Sequence, residues 1–293
     1  MTFIIFDSIN FTNMQLYTIE TGYFKLDGGA MFGVVPKVLW SKTNPADSNN
    51  LCSWAMRCLL IKDHDRLMLI DNGIGDKQDE KFLRHYYLHG DIDLHTSLAK
   101  YGFCADDITD VFLTHLHFDH CGGSVKRKKD NSGFELAFKN AKYWVSKKHL
   151  LWALSPNNRE KASFLPENIL PIQESGRLYF IENELDFFNN ISILFVNGHT
   201  ESQMIPHIHY KNKTIVFMAD LLPSIGHIPL PYVMGYDTRP LLTLSEKEKF
   251  LNIAADKEYI LFLEHDYNYE CCTVMHTNKG VRLKETFKLR DIL

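Results

Sequence analysis

The chain repeats one pattern four times: a strand-length run of apolar and β-branched residues ends in a histidine or an aspartate. The densest case is residues 110–120, where Asp-Val-Phe-Leu-Thr leads into His-Leu-His-Phe-Asp-His. The runs at 191–196, 214–219 and 259–263 also lead into such residues. Runs of this kind predict buried strands, and loops at strand ends are where a rigid scaffold usually presents its chemistry. We therefore expect a layered α/β protein with a polar site at its strand ends.

The motif at 115–120 contains four side chains that bind metal ions. His115 and His117 point to the same side of an extended segment because side chains alternate along a strand, and Asp119 and His120 follow as the chain turns. Imidazole and carboxylate groups suit zinc and similar divalent ions. A single catalytic metal needs about three protein ligands, so four are too many for one metal and too few for two. The later strand ends supply three further candidates: His199, Asp220 and His265.

These four separated motifs, together with an earlier one at residues 71–73, resemble in their order the metallo-β-lactamase superfamily, whose members carry HxHxDH, Gly-His, Asp and a late His after successive strands. The resemblance covers nearly the whole chain. It implies an αββα sandwich with a dimetal site at the edge of two mixed β-sheets. It also implies the ligands of each metal: the first is held by His115, His117 and His199, the second by Asp119, His120 and His265, and Asp220 bridges both.

The earliest motif is Asp71-Asn72-Gly73, directly after the strand-like run 66–70. In the family this aspartate does not bind metal and instead supports the loop that carries the histidines. Partners of this kind orient metal ligands and tune the metal. The alternative is a plain Asp-Asn-Gly turn after a strand.

The ligand set indicates hydrolysis. Two metals about 3.5–4 Å apart can share a bridging water and lower its pKa, which gives a hydroxide nucleophile near neutral pH. Asp119 can orient this hydroxide and accept its proton as well as bind metal. Esters, lactones, amides, thioesters and phosphoesters are the substrates of such chemistry. His117 distinguishes the chain from redox di-iron relatives, which carry Glu there, and Asp220 distinguishes it from β-lactam-hydrolysing members, which commonly carry Cys.

The segment 26–40 indicates the substrate. Three glycines in it allow a tight, close-lying loop, with Met31 and Phe32 at the tip. The segment resembles one in a branch of quorum-quenching N-acyl-homoserine lactonases and related organophosphate-hydrolysing enzymes. This implies that Met31 and Phe32 bind the acyl chain, whereas the alternative is packing against the core. Some lactonases place a Tyr shortly after the bridging Asp; here His227 is the nearest group able to donate a hydrogen bond to the substrate, unless it is a plain loop histidine.

The resemblance therefore implies a dizinc hydrolase that opens the lactone ring of N-acyl-homoserine lactones through a metal-bridging hydroxide. Other divalent metals fit the same ligands. One alternative is a phosphotriesterase or arylesterase of the same fold. A third possibility is a metal-binding protein without catalytic activity.

Composition limits the remaining possibilities. A chain of 293 residues with 45% hydrophobic content favours one large domain over residues 1–293, with 1–13 as a loose extension. The net charge of −4 gives no basic surface for a nucleic-acid partner. The chain has no apolar run of membrane-spanning length and no basic N-terminal region typical of a signal peptide. We expect a cytoplasmic protein with a small-molecule partner and reduced thiols, and the apolar loop at 31–32 could form a homodimer contact.

Helices are predicted at 92–101, 148–154 and 245–256, the last with Ser245 as its cap and Glu248 three residues later. Further strands are predicted at 66–70, 142–146 and 178–181. Residues 155–173 contain three prolines and lack clear periodicity. Such a segment often forms a lid or a substrate wall, and the alternative is a surface crossover.

Overall fold

The computed structural model describes residues 14–183, 187–188 and 190–293, so the predicted loose extension at 1–13 lies outside the described residues. The strands are β1 (Gln15–Asp27), β2 (Leu51–Asp63), β3 (Arg66–Ile70), β4 (Asp110–Phe112), β5 (Val125–Arg127), β6 (Phe134–Leu136), β7 (Lys142–Ser146), β8 (Leu178–Ile181), β9 (Ile191–Val196), β10 (Gln203–Tyr210), β11 (Lys213–Phe217), β12 (Ile260–Phe262), β13 (Cys271–Thr277) and β14 (Gly280–Phe287). The α-helices are α1 (Gly28–Phe32), α2 (Lys37–Trp40), α3 (Glu80–Leu83), α4 (Leu94–Lys100), α5 (Phe118–Cys121), α6 (Lys147–Leu154), α7 (Pro166–Glu174) and α8 (Pro240–Asp256). No helix in the described part of the chain has the length and apolar character needed to span a bilayer.

Two six-stranded mixed sheets form the centre of the fold. The first has the order β1-β2-β3-β4-β7-β8 and the second β14-β13-β12-β11-β10-β9. Strands β3, β4, β7 and β8 are parallel neighbours, as are β11 and β12. The remaining neighbours within the two sheets are antiparallel. Helices cover both outer faces, so the predicted αββα sandwich is confirmed.

Strand β3 shows why the sheets pack in layers. Its side chains alternate between the two faces of the first sheet. Met68 and Ile70 enter the apolar core between the sheets, while Leu67 and Leu69 pack in the outer cluster beneath α4, α6 and α7. Helix α8 contributes to the inter-sheet cluster from the second sheet's side. A strand buried on both faces needs an almost continuous apolar sequence, which is the pattern that ends at Asp71.

Helix α8 begins five residues before its predicted start. The structure places its first residue at Pro240, so the prediction of Ser245 as the cap is wrong. Proline is well suited to the first turn of a helix, where its missing N–H would have no intrahelical partner. Glu246, inside the helix, accepts hydrogen bonds from the backbone N–H groups of Asn197 and Gly198, at 2.8 and 2.9 Å. Glu246 thus anchors a neighbouring loop instead of capping the helix.

The predicted glycine loop at 26–40 contains two short helices. Asp27 caps α1 by accepting a hydrogen bond from the Ala30 N–H, at 2.8 Å. Gly33 has φ +58°, and a Cβ there would lie 2.8 Å from the Val233 carbonyl oxygen. Only glycine fits this combination of left-handed backbone and close approach. The segment therefore packs tightly against residues 233–235.

Candidate metal centre and active site

The carboxyl ends of several strands meet at one edge of the sandwich. Strands β3 and β4 are parallel neighbours in the first sheet, and β11 and β12 are parallel neighbours in the second. The loops that follow β4, β9, β11 and β12 bring together all seven side chains predicted as ligands. These are His115, His117, Asp119, His120, His199, Asp220 and His265.

The first group contains His115, His117, His199 and Asp220, each of which offers one atom within 4.8 Å of the others. His117 Nδ1 lies 3.0 Å from His115 Nε2 and 3.1 Å from His199 Nε2. Asp220 Oδ2 lies 3.0 Å from His199 Nε2. Three imidazole nitrogens and a carboxylate oxygen thus converge on a common centre, and this is a donor set that zinc accepts.

The second group contains Asp119, His120 and His265. The Nε2 atoms of His120 and His265 are 3.1 Å apart, and Asp119 Oδ2 lies 3.8 and 3.9 Å from them. Asp220 connects the groups because its Oδ1 lies 3.1 Å from His265 Nε2 while its Oδ2 faces His199. That Oδ1 is buried and makes no hydrogen bond of good geometry to the described residues. An unpaired buried carboxylate oxygen is costly, and a cation between the groups would satisfy it.

All five histidines direct their second nitrogen away from the centre towards an oxygen atom. The pairs are His115 Nδ1 with Thr114 Oγ1 (3.0 Å), His117 Nε2 with Glu160 Oε1 (3.0 Å), His120 Nδ1 with Asp71 Oδ2 (3.1 Å), His199 Nδ1 with Asp237 Oδ1 (3.0 Å) and His265 Nδ1 with the Ala55 carbonyl (2.7 Å). An imidazole that donates its outer N–H leaves its inner nitrogen as a lone-pair donor to a metal. The arrangement therefore fits bound cations at both groups.

Burial and charge act against each other in this cluster. Burial and the neighbouring imidazoles hold the pKa of His115 well below its ordinary value. Burial disfavours a charge on His199 too, but the carboxylates of Asp220 and Asp237 outweigh it and raise the pKa of His199 to about 10. Burial would raise the pKa of Asp220, yet the surrounding imidazoles, His199 foremost, hold it well below its ordinary value. Positive charge at the centre therefore balances the buried carboxylate, a role that a divalent cation fills.

Asp71 holds the histidine-bearing loop from behind. It has a left-handed backbone with φ +54°, which is uncommon outside glycine. Its carboxylate accepts hydrogen bonds from the Thr114 N–H at 2.8 Å and the Thr114 hydroxyl at 2.6 Å. The same carboxylate accepts from His120 Nδ1, so one side chain fixes both ends of the motif. This geometry is the one that the predicted supporting role requires.

Sequence reasoning missed the carboxylates that hold two first-group histidines. Glu160 accepts hydrogen bonds from His117 and from the Thr200 hydroxyl with one oxygen, and from Trp152 Nε1, at 2.7 Å, with the other. Burial opposes its charge, but the hydrogen bond from His117 is the main influence that lowers its pKa to about 2. Asp237 accepts from His199. Glu160 lies in a segment without periodicity, and Asp237 precedes α8 without a motif, so neither gave a usable signal.

Glu264 was also missed, although it directly precedes His265. It is fully buried, and its Oε2 lies 3.1 Å from His120 Nδ1. Neither carboxylate oxygen makes a hydrogen bond of good geometry within the described residues. Burial raises the pKa of Glu264 to about 8. His120 therefore faces two buried carboxyl groups, those of Asp71 and Glu264.

A pocket of about 330 Å³ opens over the two groups. Ligand side chains from both groups form its floor. Its walls come from separate parts of the chain: Leu26, Met31, Tyr86, Phe118, Arg159, Glu160, Ala162, Ser163, Met234, Gly235 and Tyr236. Residues 159, 160, 162 and 163 thus place part of the segment 155–173 in the wall of this pocket, while α7 occupies the second half of that segment.

Met31 and Phe32 occupy different positions. Met31 lines the pocket, as its predicted role requires. Phe32 is fully buried between the Trp40 ring, 5.3 Å away, and the His227 ring, 4.4 Å away. The structure places Phe32 behind the pocket wall, because α1 directs it into the core cluster beneath.

His227 also lies behind the wall. One ring nitrogen bonds to the Met31 carbonyl and the other to the Ser224 hydroxyl, both at 2.9 Å. Burial lowers its pKa to about 3, so the ring is neutral. The predicted hydrogen bond to substrate is not supported by this position, since both nitrogens already have protein partners.

Comparison with known proteins identifies the superfamily of this chain. A family model described as the metallo-beta-lactamase superfamily matches residues 57–265. An N-acyl homoserine lactonase from Bacillus thuringiensis is 24% identical over 272 residues, which cover 88% of this chain and 96% of the relative.

Two solved structures superpose on most of this chain. A probable metal-dependent hydrolase from Staphylococcus aureus superposes with a TM-score of 0.85 at 29% identity, covering 94% of this chain and 97% of the other. AidC, a dizinc quorum-quenching lactonase in complex with a product, superposes with a TM-score of 0.78 at 24% identity, covering 94% and 96%.

Proposed function

Because this chain belongs to the metallo-β-lactamase superfamily, we propose that it is a dizinc hydrolase that opens the lactone ring of N-acyl homoserine lactones. The observation that supports hydrolysis is the convergence of five imidazoles and two carboxylates beneath an open pocket. Its floor is formed by His117, Asp119, His199, Asp220 and His265. The substrate class is supported by the lactonases among its relatives. The apolar side chains of Leu26, Met31 and Phe118 in the walls suit an acyl chain.

The ligands divide into two sets with one shared member. In this proposal His115, His117 and His199 hold one ion, and Asp119, His120 and His265 hold the other. Asp220 offers one oxygen to each set. Two bound ions would supply an activated water as nucleophile and polarise the ester carbonyl.

The protein side chains position the substrate and transfer protons. Asp119 lies on the pocket floor with its side chain 13% exposed, so it can orient the attacking water and accept its proton. The water oxygen forms a bond to the ring carbonyl carbon as the ring C–O bond breaks. Asp119 then returns the proton to the departing alkoxide, and N-acyl homoserine leaves.

The test is ring opening of a homoserine lactone with a medium-length acyl chain, followed by proton release, with metal content measured on the same sample. We expect turnover with about two zinc ions per chain. His117→Ala should abolish turnover and lower the metal content. His209→Ala is the matched control, since His209 is an exposed histidine on β10 that lies outside both groups.

Two outcomes would contradict the proposal. An inert lactone together with rapid cleavage of a phosphotriester in a parallel assay would identify a phosphotriesterase. Full zinc occupancy with no turnover of either compound, or of a nitrophenyl ester, would indicate a metal-binding protein without catalysis.

A further inference from the structure

The pocket wall above the metal-ligand floor is rich in hydrogen-bond donors. Tyr86, Arg159 and Tyr236 line it, and their side chains carry two phenol groups and one guanidinium group. Within the described residues, neither phenol O–H makes a hydrogen bond to the protein. Burial is the main influence that raises the pKa of both phenols to about 12. Both phenols are therefore protonated donors at any physiological pH.

Arg159 is fixed in place with part of its guanidinium group free. Its Nη2 donates to the carbonyl oxygens of Gly235 and Asp237, the residues on either side of Tyr236. Its Nε and Nη1 make no hydrogen bond to the part of the chain that the structure describes. A planar guanidinium held at one terminal nitrogen presents its other N–H groups in a restricted set of directions. It therefore offers a preformed site for an oxygen acceptor.

Arg159 and Tyr236 are both held in a fixed position relative to the first ligand group. Glu160, next to Arg159 in the chain, holds His117. Asp237, next to Tyr236, holds His199. Each wall donor is thus one residue away from a side chain that fixes a first-group histidine. A substrate whose ester lies on the floor would find these donors at a constant distance.

We propose that Arg159 and Tyr236 form a recognition site for an oxygen acceptor of the substrate outside its reacting ester. This inference rests on the proposed function, and in an N-acyl homoserine lactone the acceptor is the carbonyl oxygen of the acyl amide. The reacting ester must contact the floor, so the group that reaches the wall is another part of the same molecule. Arg159 is the one lysine or arginine that lines the pocket in the described structure. The site therefore selects amide-bearing lactones over lactones with a plain alkyl chain.

The experiment compares two lactones of equal length on the zinc-loaded enzyme, one N-acyl homoserine lactone and one γ-alkyl lactone without the amide. Arg159→Gln and Tyr236→Phe are measured for kcat and KM on both, with metal content recorded. Tyr236→Phe keeps the aromatic ring and removes only the hydroxyl, so it remains informative if Arg159→Gln disturbs the wall. Arg177→Gln and Tyr179→Phe are matched controls on exposed residues that do not line the pocket.

We expect each pocket variant to lower kcat/KM on the amide-bearing lactone by about tenfold, mainly through KM. The alkyl lactone should change by no more than about twofold, which a general loss of structure would not produce. An equal effect on both lactones, or no effect on either, would overturn the recognition site while leaving the lactonase intact. Failure of the wild-type enzyme on both lactones would overturn the proposed function, and this inference with it.

Discussion

The two ligand groups are held by different parts of the molecule. In the first group, Glu160 and Asp237 hold His117 and His199, and both carboxylates belong to segments that build the pocket walls. In the second group, the supporting atoms come from the strands and strand ends. His120 faces Asp71 and Glu264, and His265 donates to the Ala55 carbonyl.

This difference predicts two kinds of sensitivity. Changes in the pocket walls should alter the metal affinity of the first group, because the same residues shape the pocket and orient the ligands. Changes at the strand ends should alter the second group together with the stability of the fold. Asp71, which follows β3, bonds to both Thr114 and His120, so it belongs to the histidine loop and the sheet at once.

The largest effect should come from the residue that the groups share. Asp220→Ala removes the oxygens that face His199 and His265 at 3.0 and 3.1 Å. We expect loss of metal from both groups and activity at background, measured by elemental analysis and lactone turnover. Asp256→Ala, an exposed aspartate on α8, is the control. Retention of one tightly bound metal with substantial activity would show that the groups are independent.

Asp71→Asn should weaken the second group and the fold together. The amide cannot accept all three hydrogen bonds that the carboxylate accepts, and its NH₂ would face donors. We expect a loss of about 2–3 kcal/mol in the free energy of unfolding and a metal affinity of one site lower by about 10–100-fold. Denaturant unfolding of the metal-free protein and a chelator titration measure the two effects separately. Unchanged stability with weakened metal binding would show that Asp71 acts only through His120.

Glu160→Gln should weaken the first group and leave the fold nearly intact. The introduced amide would place an NH₂ group against Trp152 or Thr200, both of which donate to the carboxylate, and His117 would lose its charged acceptor. We expect metal affinity at one site to fall by about 10–100-fold, with a smaller loss of stability than in Asp71→Asn. If Glu160→Gln and Asp71→Asn proved to weaken the same site, the distinction between the groups would be wrong.

The sequence predicts Asp71, one of the two carboxyl groups that face His120 in the second group, but neither carboxylate that holds the first group. Asp71 follows an apolar strand within a short motif, so its position at the sheet edge follows from strand length and register. Its partner Thr114 likewise follows an apolar strand, directly before the histidine motif. Glu160 and Asp237 lie in segments whose course depends on tertiary packing, and a local pattern does not contain that information.

Contacts between distant parts of the chain explain the other differences between the predicted and the observed structure. The segment 26–40 gave a pattern of glycines and apolar residues, but its helices and the burial of Phe32 depend on contacts with residues 227–235. Helix α7 was missed because prolines at 166 and 171 obscure its pattern. Proline at the first helical position is favourable, so the residue that suggested a loop marks a helix start.

His227→Gln should have the smallest effect on activity, and it separates the predicted substrate contact from the observed structural one. Both ring nitrogens of His227 are used, by Met31 and Ser224, so we expect kcat to stay within about threefold of wild type. The free energy of unfolding should fall by about 1 kcal/mol at neutral pH. A large fall in kcat with unchanged KM and stability would instead support the predicted hydrogen bond to substrate.

The pH dependence of stability gives a second measurement on the same variant. Burial lowers the folded pKa of His227 to about 3 from an ordinary value of 6.5. As the pH falls below 6.5, the unfolded chain takes up a proton that the folded protein does not, so this residue makes the wild type less stable towards acid. Glutamine does not titrate, so the variant should lose stability less steeply between pH 6.5 and about pH 4. Burial behind the wall causes both the low pKa of His227 and its lack of contact with substrate. If the wild type and His227→Gln lost stability equally in acid, His227 would instead lie in contact with solvent at the pocket.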